Sequence, residues 1–409
     1  MRSKAAAFAL VGVGLLKTAP EVCRAFVQPA AGGQLRRTQA VRFAEAGHHD
    51  SRGAWPSGPQ GFLAVGLIAA LGASTAGTIR TRRRPQQRHA HRVVCRATSE
   101  VAYKTAFLFP GQGAQSVGMC QELVETCPAA KELFDKASAI LGYDLFDRCV
   151  NGPKEVLDTT TVSQPAIFVA SMAAVEKLKQ DQGPAVVDEA TVAMGLSLGE
   201  YSALCFAGAL DFEDGVRITK ARGEAMQAAA DAVESSMVSV IGLDMGKTEE
   251  LCKKASDDSG KTVQIANYLC KGNYTVSGAK EACAKLAEIA KPEFKARMAV
   301  PLAVAGAFHT DFMAPAVEPL KTALAAATIR EPRIPVVSNV DAKAHSDPDD
   351  IRSTLAKQVT SPVMWQQQME TMVAGGFEKG FECGPGKVIA GIVKRVDKAA
   401  AAAITNITA

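Results

Sequence analysis

The stretch at residues 191–209, T-V-A-M-G-L-S-L-G-E-Y-S-A-L-C-F-A-G-A, restricts the fold of this chain more tightly than any other. Thr191 to Met194 is a short apolar run of strand type, and helical spacing resumes from Glu200 to Gly208. Between them lies Gly195-Leu196-Ser197-Leu198-Gly199. Strand, Gly-x-Ser-x-Gly, helix is the context of a nucleophile elbow. The turn is so sharp that its flanking positions tolerate only glycine, because a Cβ there would strike the strand or the helix. The serine hydroxyl is pushed out at the C-terminal edge of a sheet, where the free N–H groups of a helix start surround it. The competing reading is an ordinary serine on a glycine-rich turn, and the five-residue pattern alone does not separate the two.

The rest of the body reads as alternating strands and helices. Tyr103–Phe109 is an apolar strand running into Pro110-Gly111-Gln112-Gly113-Ala114-Gln115. This loop lacks the Lys-Ser/Thr of a phosphate-binding P-loop, so it offers backbone N–H groups and amide side chains instead. Helical patterns follow over 116–141, broken at Pro128, and over 164–180, which reads as amphipathic. Asp211 is placed to N-cap a helix that runs to about Asp231 and carries Arg222. Residues 235–302 change character and read β-α-β-β-α-β, the ferredoxin-like order, as a subdomain inserted into the larger one. Beyond it come Gly306-Ala307-Phe308-His309-Thr310, a helix from about Met313, a strand over 334–339, helices ending at Gln358 and spanning 365–374, and a strand over 379–383. Gly384-Pro385-Gly386 and a helix to about Ala400 close the body, and the alanine-rich last ten residues are expected to fray.

A serine hydroxyl is a weak nucleophile at neutral pH and needs an adjacent base. Of six histidines, His48, His49, His89 and His91 precede the body, and His345 lies in a polar loop sequence. His309, among apolar and small residues, is therefore the expected base. No carboxylate between serine and histidine stands in a marked turn, so either a hidden carboxylate or a backbone carbonyl must orient the imidazole. Arg222, 25 residues after Ser197, reads either as a helix-surface arginine or as a buried guanidinium that could hold a carboxylate through paired hydrogen bonds.

Charge divides the chain. The net charge of +4 averages residues 1–98, at +12, with the remaining 311 residues, at −8. An acidic body argues against nucleic-acid binding. The basic excess belongs to a segment with targeting character: Arg2 and Lys4 before the apolar run 5–16, then an arginine-rich, acid-poor region, then a second apolar run at 61–77 closed by Arg80, Arg82, Arg83 and Arg84. That order resembles the multipartite leaders of plastid proteins in algae with secondary plastids. A mitochondrial presequence and a membrane anchor at 61–77 are the alternatives. The leader, 1–98, is expected to be removed, leaving a mature protein that is not membrane-bound. Ten cysteines show neither a C-x-x-C pair nor zinc-like spacing with histidine, so reduced, buried thiols and no metal site are expected.

These blocks together resemble the malonyl-CoA:acyl carrier protein transacylase family over residues 103–400: Phe-Pro-Gly-Gln-Gly-Ala-Gln (109–115), Gly-Leu-Ser-Leu-Gly-Glu-Tyr (195–201), Arg-Gly-Glu-Ala-Met-Gln (222–227), Gly-Ala-Phe-His-Thr (306–310), Gln358 before Ser-Pro-Val, and Gly-Pro-Gly-Lys-Val (384–388). The resemblance implies an α/β-hydrolase-like core, 99–234 and 303–400, around the ferredoxin-like insert. It implies Ser197 as acylated nucleophile, His309 as base, and the N–H groups of Gln112 and Leu198 as oxyanion hole. Arg222 would take the malonyl carboxylate, the Gln358 carbonyl would orient His309, and Phe308 and Met226 would line the acyl pocket. Many members carry His where this chain has Leu196, a neighbour that is not the base. Phe308 matches members that take malonyl and leaves little room for an α-methyl group.

The implied substrates are malonyl-CoA and phosphopantetheinylated acyl carrier protein, with no further cofactor, in a monomer of the plastid stroma or, alternatively, of the mitochondrion. Carrier proteins are acidic, so docking needs a local basic patch, for which Lys387, Lys394 and Arg395 are candidates. The alternatives are a trans-acting polyketide acyltransferase, a serine thioesterase and a non-catalytic scaffold.

Overall fold

Strand β1 (Thr105–Phe109) is buried along its whole length, and its alternate side chains enter different cores. Phe107 and Phe109 join one cluster, and Ala106 and Leu108 join another on the opposite face. Burial on both faces is the signature of a central strand in a parallel sheet. The computed structural model describes residues 102–409; the leader expected over 1–98, with its apolar run at 61–77, lies outside the described residues. In that sheet β1 lies between β2 (Val192–Gly195) and β8 (Lys379–Gly384), with β7 (Val336–Val337) and β9 (Ile404–Thr408) at the edges, in the order β7-β2-β1-β8-β9. Every neighbouring pair is parallel.

A second, antiparallel sheet has the order β4-β5-β3-β6, from β3 (Ser235–Ile241), β4 (Val263–Cys270), β5 (Asn273–Ala279) and β6 (Met298–Pro301). Helices Met245–Ser259 and Lys280–Ala290 fall between its strands, in the β-α-β-β-α-β order read from the sequence. Their apolar faces, including Leu251 and Leu286, close a separate core with Val238, Val240, Ile265 and Val276. Main-chain bonds from Tyr268 N–H to the Val363 carbonyl and from Val363 N–H to the Ala266 carbonyl stitch β4 to the segment before helix Trp365–Ala374.

Four local expectations are corrected. The helix expected over 164–180 spans Thr160–Gln182 and is not amphipathic, because Ser163 to Val175 is buried without interruption. It packs against helices on one side and β8 on the other, so no stripe is left for solvent. Asp211 occupies the N-cap position of helix Phe212–Ala232 but makes no side-chain cap bond; its carboxylate pairs with the Arg330 guanidinium through two 2.8 Å bonds. The strand expected over 334–339 is reduced to the two residues of β7, since Pro335 has no N–H to extend the ladder. The chain end does not fray: after helix Val388–Val396, Asp397 caps a short helix, Lys398–Ala402, and β9 pairs along β8.

The eight described cysteines are unpaired, and seven of them are buried. Among the described residues there is no cluster of His, Cys, Asp and Glu able to hold a metal, and no helix long and apolar enough to cross a membrane.

Candidate active site

The elbow is held by backbone packing rather than by side chains. A Cβ on Gly195 would lie 1.9 Å from the Gly199 carbonyl, and one on Gly199 would lie 2.2 Å from the Phe109 carbonyl. Strand β2, the turn and the loop after β1 therefore touch main chain to main chain, and only glycine permits it. Gly111 repeats this from the other side, where a Cβ would meet the Leu196 carbonyl at 2.3 Å. Ser197 is left at φ 49°, in the left-handed region that few non-glycine residues occupy. Strain of this kind persists where the surroundings over-determine it. Here Asn339 does so, accepting from the Ser197 N–H through Oδ1 and donating to the Gly195 carbonyl through Nδ2 at 2.7 Å.

Ser197 Oγ lies 2.8 Å from His309 Nε2. His309 Nδ1 lies 2.9 Å from the Gln358 carbonyl, which can only accept, so Nδ1 carries the proton and Nε2 presents its lone pair to the serine hydroxyl. Among the described residues no carboxylate bonds to the imidazole; a main-chain oxygen orients it. His309 is itself at φ 60°, and its N–H donates to the Val359 carbonyl. Burial, reinforced by the positive charge of Arg222, pushes the imidazole down to about 4, so at neutral pH it is an unprotonated base.

Arg222 is 1% exposed, which rules out the helix-surface reading. Its Nη1 donates to Gln164 Oε1 (2.7 Å), and its Nη2 donates to Gln358 Oε1 (2.9 Å) and Ser197 Oγ (3.2 Å). The guanidinium carbon stands 5.4 Å from the centre of the Tyr201 ring. Among the described residues all of its hydrogen-bond partners are neutral, and Nε has none. A buried cation bonded only to amides and a hydroxyl is suited to an anionic ligand.

Ser197, His309 and Arg222 line one cleft, with Gln112 and Leu196 at the elbow side and Met226 and Phe308 among its apolar walls. The cleft also reaches the second sheet at Asn267 and Thr275. Of the residues singled out by sequence, Ser197, His309, Arg222 and Gln358 bond to one another, and Gln112, Met226 and Phe308 share the cleft of the first three. Leu198 is fully buried behind the turn, so only its main chain can take part. Lys387 and Lys394 are exposed and Arg395 half-buried near the last turn, away from the cleft lining.

Sequence reasoning missed Gln164, Asn339 and Glu200, all buried and all bonded to the constellation. The available signals were a glutamine before Pro165 in an apolar helix, an asparagine ending a strand, and an acid directly after the elbow.

The family profile described as "Acyl transferase domain" matches residues 106–406. The chain is 43% identical over 300 residues to the mitochondrial malonyl-CoA-acyl carrier protein transacylase of Homo sapiens, covering 71% of this chain and 76% of that one. It is 41% identical over 295 residues to the malonyl CoA-acyl carrier protein transacylase of Bacillus subtilis, covering 72% and 91%. Among solved structures, the transacylase of Coxiella burnetii superposes with a TM-score of 0.70 at 36% identity over 75% of this chain and 95% of that one. A malonyl-transacylase solved in complex with its type II polyketide acyl-carrier protein gives 0.69 at 34% identity over 75% and 96%.

Proposed function

The chain belongs to the acyl transferase family, among its malonyl-CoA-acyl carrier protein transacylases, and from that premise we propose how its residues divide the reaction. Ser197 Oγ attacks the thioester carbonyl of malonyl-CoA while its proton passes to His309 Nε2. The carbonyl oxygen becomes an oxyanion held by the N–H groups of Gln112 and Leu198, an interaction worth several kcal/mol in acyl transfer. Collapse breaks the C–S bond, and CoA leaves as the thiol with the proton from His309. The phosphopantetheine thiol of acyl carrier protein then gives its proton to His309, attacks the malonyl-serine ester and restores Ser197. Arg222 takes the malonyl carboxylate and so selects a dicarboxylic acyl group. Phe308 and Met226 bound the acyl pocket and disfavour a methylmalonyl branch.

The single observation that carries this reading is the Ser197–His309 contact of 2.8 Å beside a buried Arg222 that no carboxylate of the described residues pairs with. Two-step transfer is tested by initial rates with both substrates varied. Parallel reciprocal plots are expected; intersecting plots would require a ternary complex and overturn the covalent route.

The parallel-sheet body, read as 99–234 and 303–400 and extended by β9 to Thr408, is an α/β-hydrolase-like core and 235–302 a ferredoxin-like subdomain in this reading; the strand order β4-β5-β3-β6 with two intervening helices supports the second assignment. Residues 1–98 form a removable plastid leader, and the mature enzyme is a monomer of the stroma. The mitochondrial designation of the human relative favours the mitochondrion as the alternative destination. The complex with a polyketide carrier favours one second reading, a polyketide carrier as acceptor, which a competition between carriers would decide.

A further inference from the structure

Glu200 is 3% exposed, and no step of the acyl transfer uses it. Its Oε2 nevertheless accepts from the Asn339 N–H at 2.9 Å and from Gln358 Nε2 at 2.7 Å. Gln358 Nε2 also donates to the Ser197 carbonyl at 3.0 Å, so that end of the amide faces two acceptors. The other end, Oε1, consequently faces Arg222 Nη2 at 2.9 Å. Turned over, the amide would set its NH₂ against guanidinium N–H groups and its oxygen against a carboxylate and a carbonyl, losing every bond.

We propose that Glu200 is a positioning residue: its carboxylate fixes the Gln358 amide and, through that amide, the guanidinium of Arg222, so that the cleft selects acyl groups bearing a carboxylate. The inference rests on the reading that Arg222 takes the malonyl carboxylate. A direct Glu200–Arg222 pair would occupy the guanidinium edge that the substrate needs. The interposed amide keeps the two charges apart while orienting the cation, and Nε remains without a partner. Burial raises the Glu200 carboxyl to about 6, against the opposing pull of the Asn339 and Gln358 bonds and of the Arg222 charge, so it is ionised at pH 7.5.

The test compares Glu200→Asp, Glu200→Gln, Glu200→Ala and Arg222→Ala with the unmodified protein in two reactions of Ser197. One is acylation by malonyl-CoA, read as kcat/KM; the other is sulfonylation by phenylmethanesulfonyl fluoride, a neutral reagent that needs the Ser197–His309 pair but no carboxylate site. Glu200→Asp withdraws the carboxylate by one methylene and is expected to slow malonyl acylation about tenfold, the loss of one charge-assisted bond, with sulfonylation changed less than about threefold. Glu200→Gln keeps an acceptor oxygen and is expected to restore most of the malonyl rate. Equal loss in both reactions, no loss in Glu200→Asp, or a glutamine variant as impaired as the aspartate would overturn the proposal. Should Glu200→Asp not fold, Glu200→Ala decides: it keeps Gln358 and Arg222 but removes the carboxylate that the amide donates to. A loss greater for malonyl than for sulfonylation is then expected, and a parallel loss overturns the role. Arg222→Ala separates the two levels of argument. If it leaves malonyl acylation intact, the reading of Arg222 is what fails; if it is impaired while Glu200→Asp is not, only the role of Glu200 falls.

Discussion

On either side of β1, a strand runs through a glycine-rich turn into a helix: β2 through Gly195-Leu196-Ser197-Leu198-Gly199, and β8 through Gly384-Pro385-Gly386. Within β8, the buried Glu382 turns its carboxylate onto the start of the helix that follows. Oε1 accepts from the Ile389 N–H (2.7 Å), and Oε2 accepts from the Ala390 N–H (2.8 Å) and Asn406 Nδ2 (3.0 Å). The anion-binding capacity of that helix end is consumed by the protein itself. After β2, the Gly199, Glu200 and Tyr201 N–H groups bend back onto the Leu196, Ser197 and Leu198 carbonyls at 2.9–3.1 Å. The nearest acid, Glu200, points behind the turn to Gln358 and Asn339 rather than onto the helix end. One turn is closed by its own carboxylate, and the other, satisfied by its own carbonyls, leaves Ser197 lining the cleft. Glycines make both turns; the placement of the neighbouring carboxylate decides which becomes a site.

Breaking the open turn has the largest effect. His309→Asn, chosen because asparagine tolerates φ near 60°, is expected to slow acylation of Ser197 by roughly 10⁴-fold or more, with little change in the thermal midpoint. A residual rate within tenfold of the unmodified protein would show that another group serves as base. Breaking the closed turn should act on stability instead. Glu382→Ala leaves the Ile389 and Ala390 N–H groups without their acceptor and the Asn406 amide with only the Gly386 carbonyl, at a cost of about 2–4 kcal/mol in urea unfolding. Protein that remains folded should keep its acylation rate to within about threefold, and a specific loss of acylation would contradict the division of roles. The smallest effect is on pH dependence. An ordinary histidine near 6.5 would lose its basic form as pH falls through 6.5, whereas His309 at about 4 keeps it. Sulfonylation of Ser197 should therefore stay flat from pH 7.5 to about 5.5 and fall only below that. A midpoint at or above 6.5 would mean that the imidazole is solvated.

The elbow and the loop after β1 were legible because backbone contacts as close as those of Gly195 and Gly199 force a residue type that a sequence displays. Arg222 and His309 were legible as residues, but the burial of the guanidinium was not, since it depends on Gln164 of a helix 58 positions away. That helix carried no amphipathic stripe to interpret correctly, because both of its sides meet other elements. Asn339 and Glu200 act through their neighbours and resemble any polar residue at the end of a strand or the start of a helix. The closing strand β9 escaped notice because its pairing partner is β8, and Ile404–Thr408 carries no turn signal of its own.

The central claim is that Ser197 carries the malonyl group between two thiols. Intact-protein mass spectrometry after mixing with malonyl-CoA, beside Ser197→Ala, tests it most directly. A single malonyl adduct on the unmodified protein, none on the variant, and discharge on adding holo acyl carrier protein are expected. An adduct on both proteins, no adduct on either, or an adduct that water clears as fast as the carrier does would contradict it.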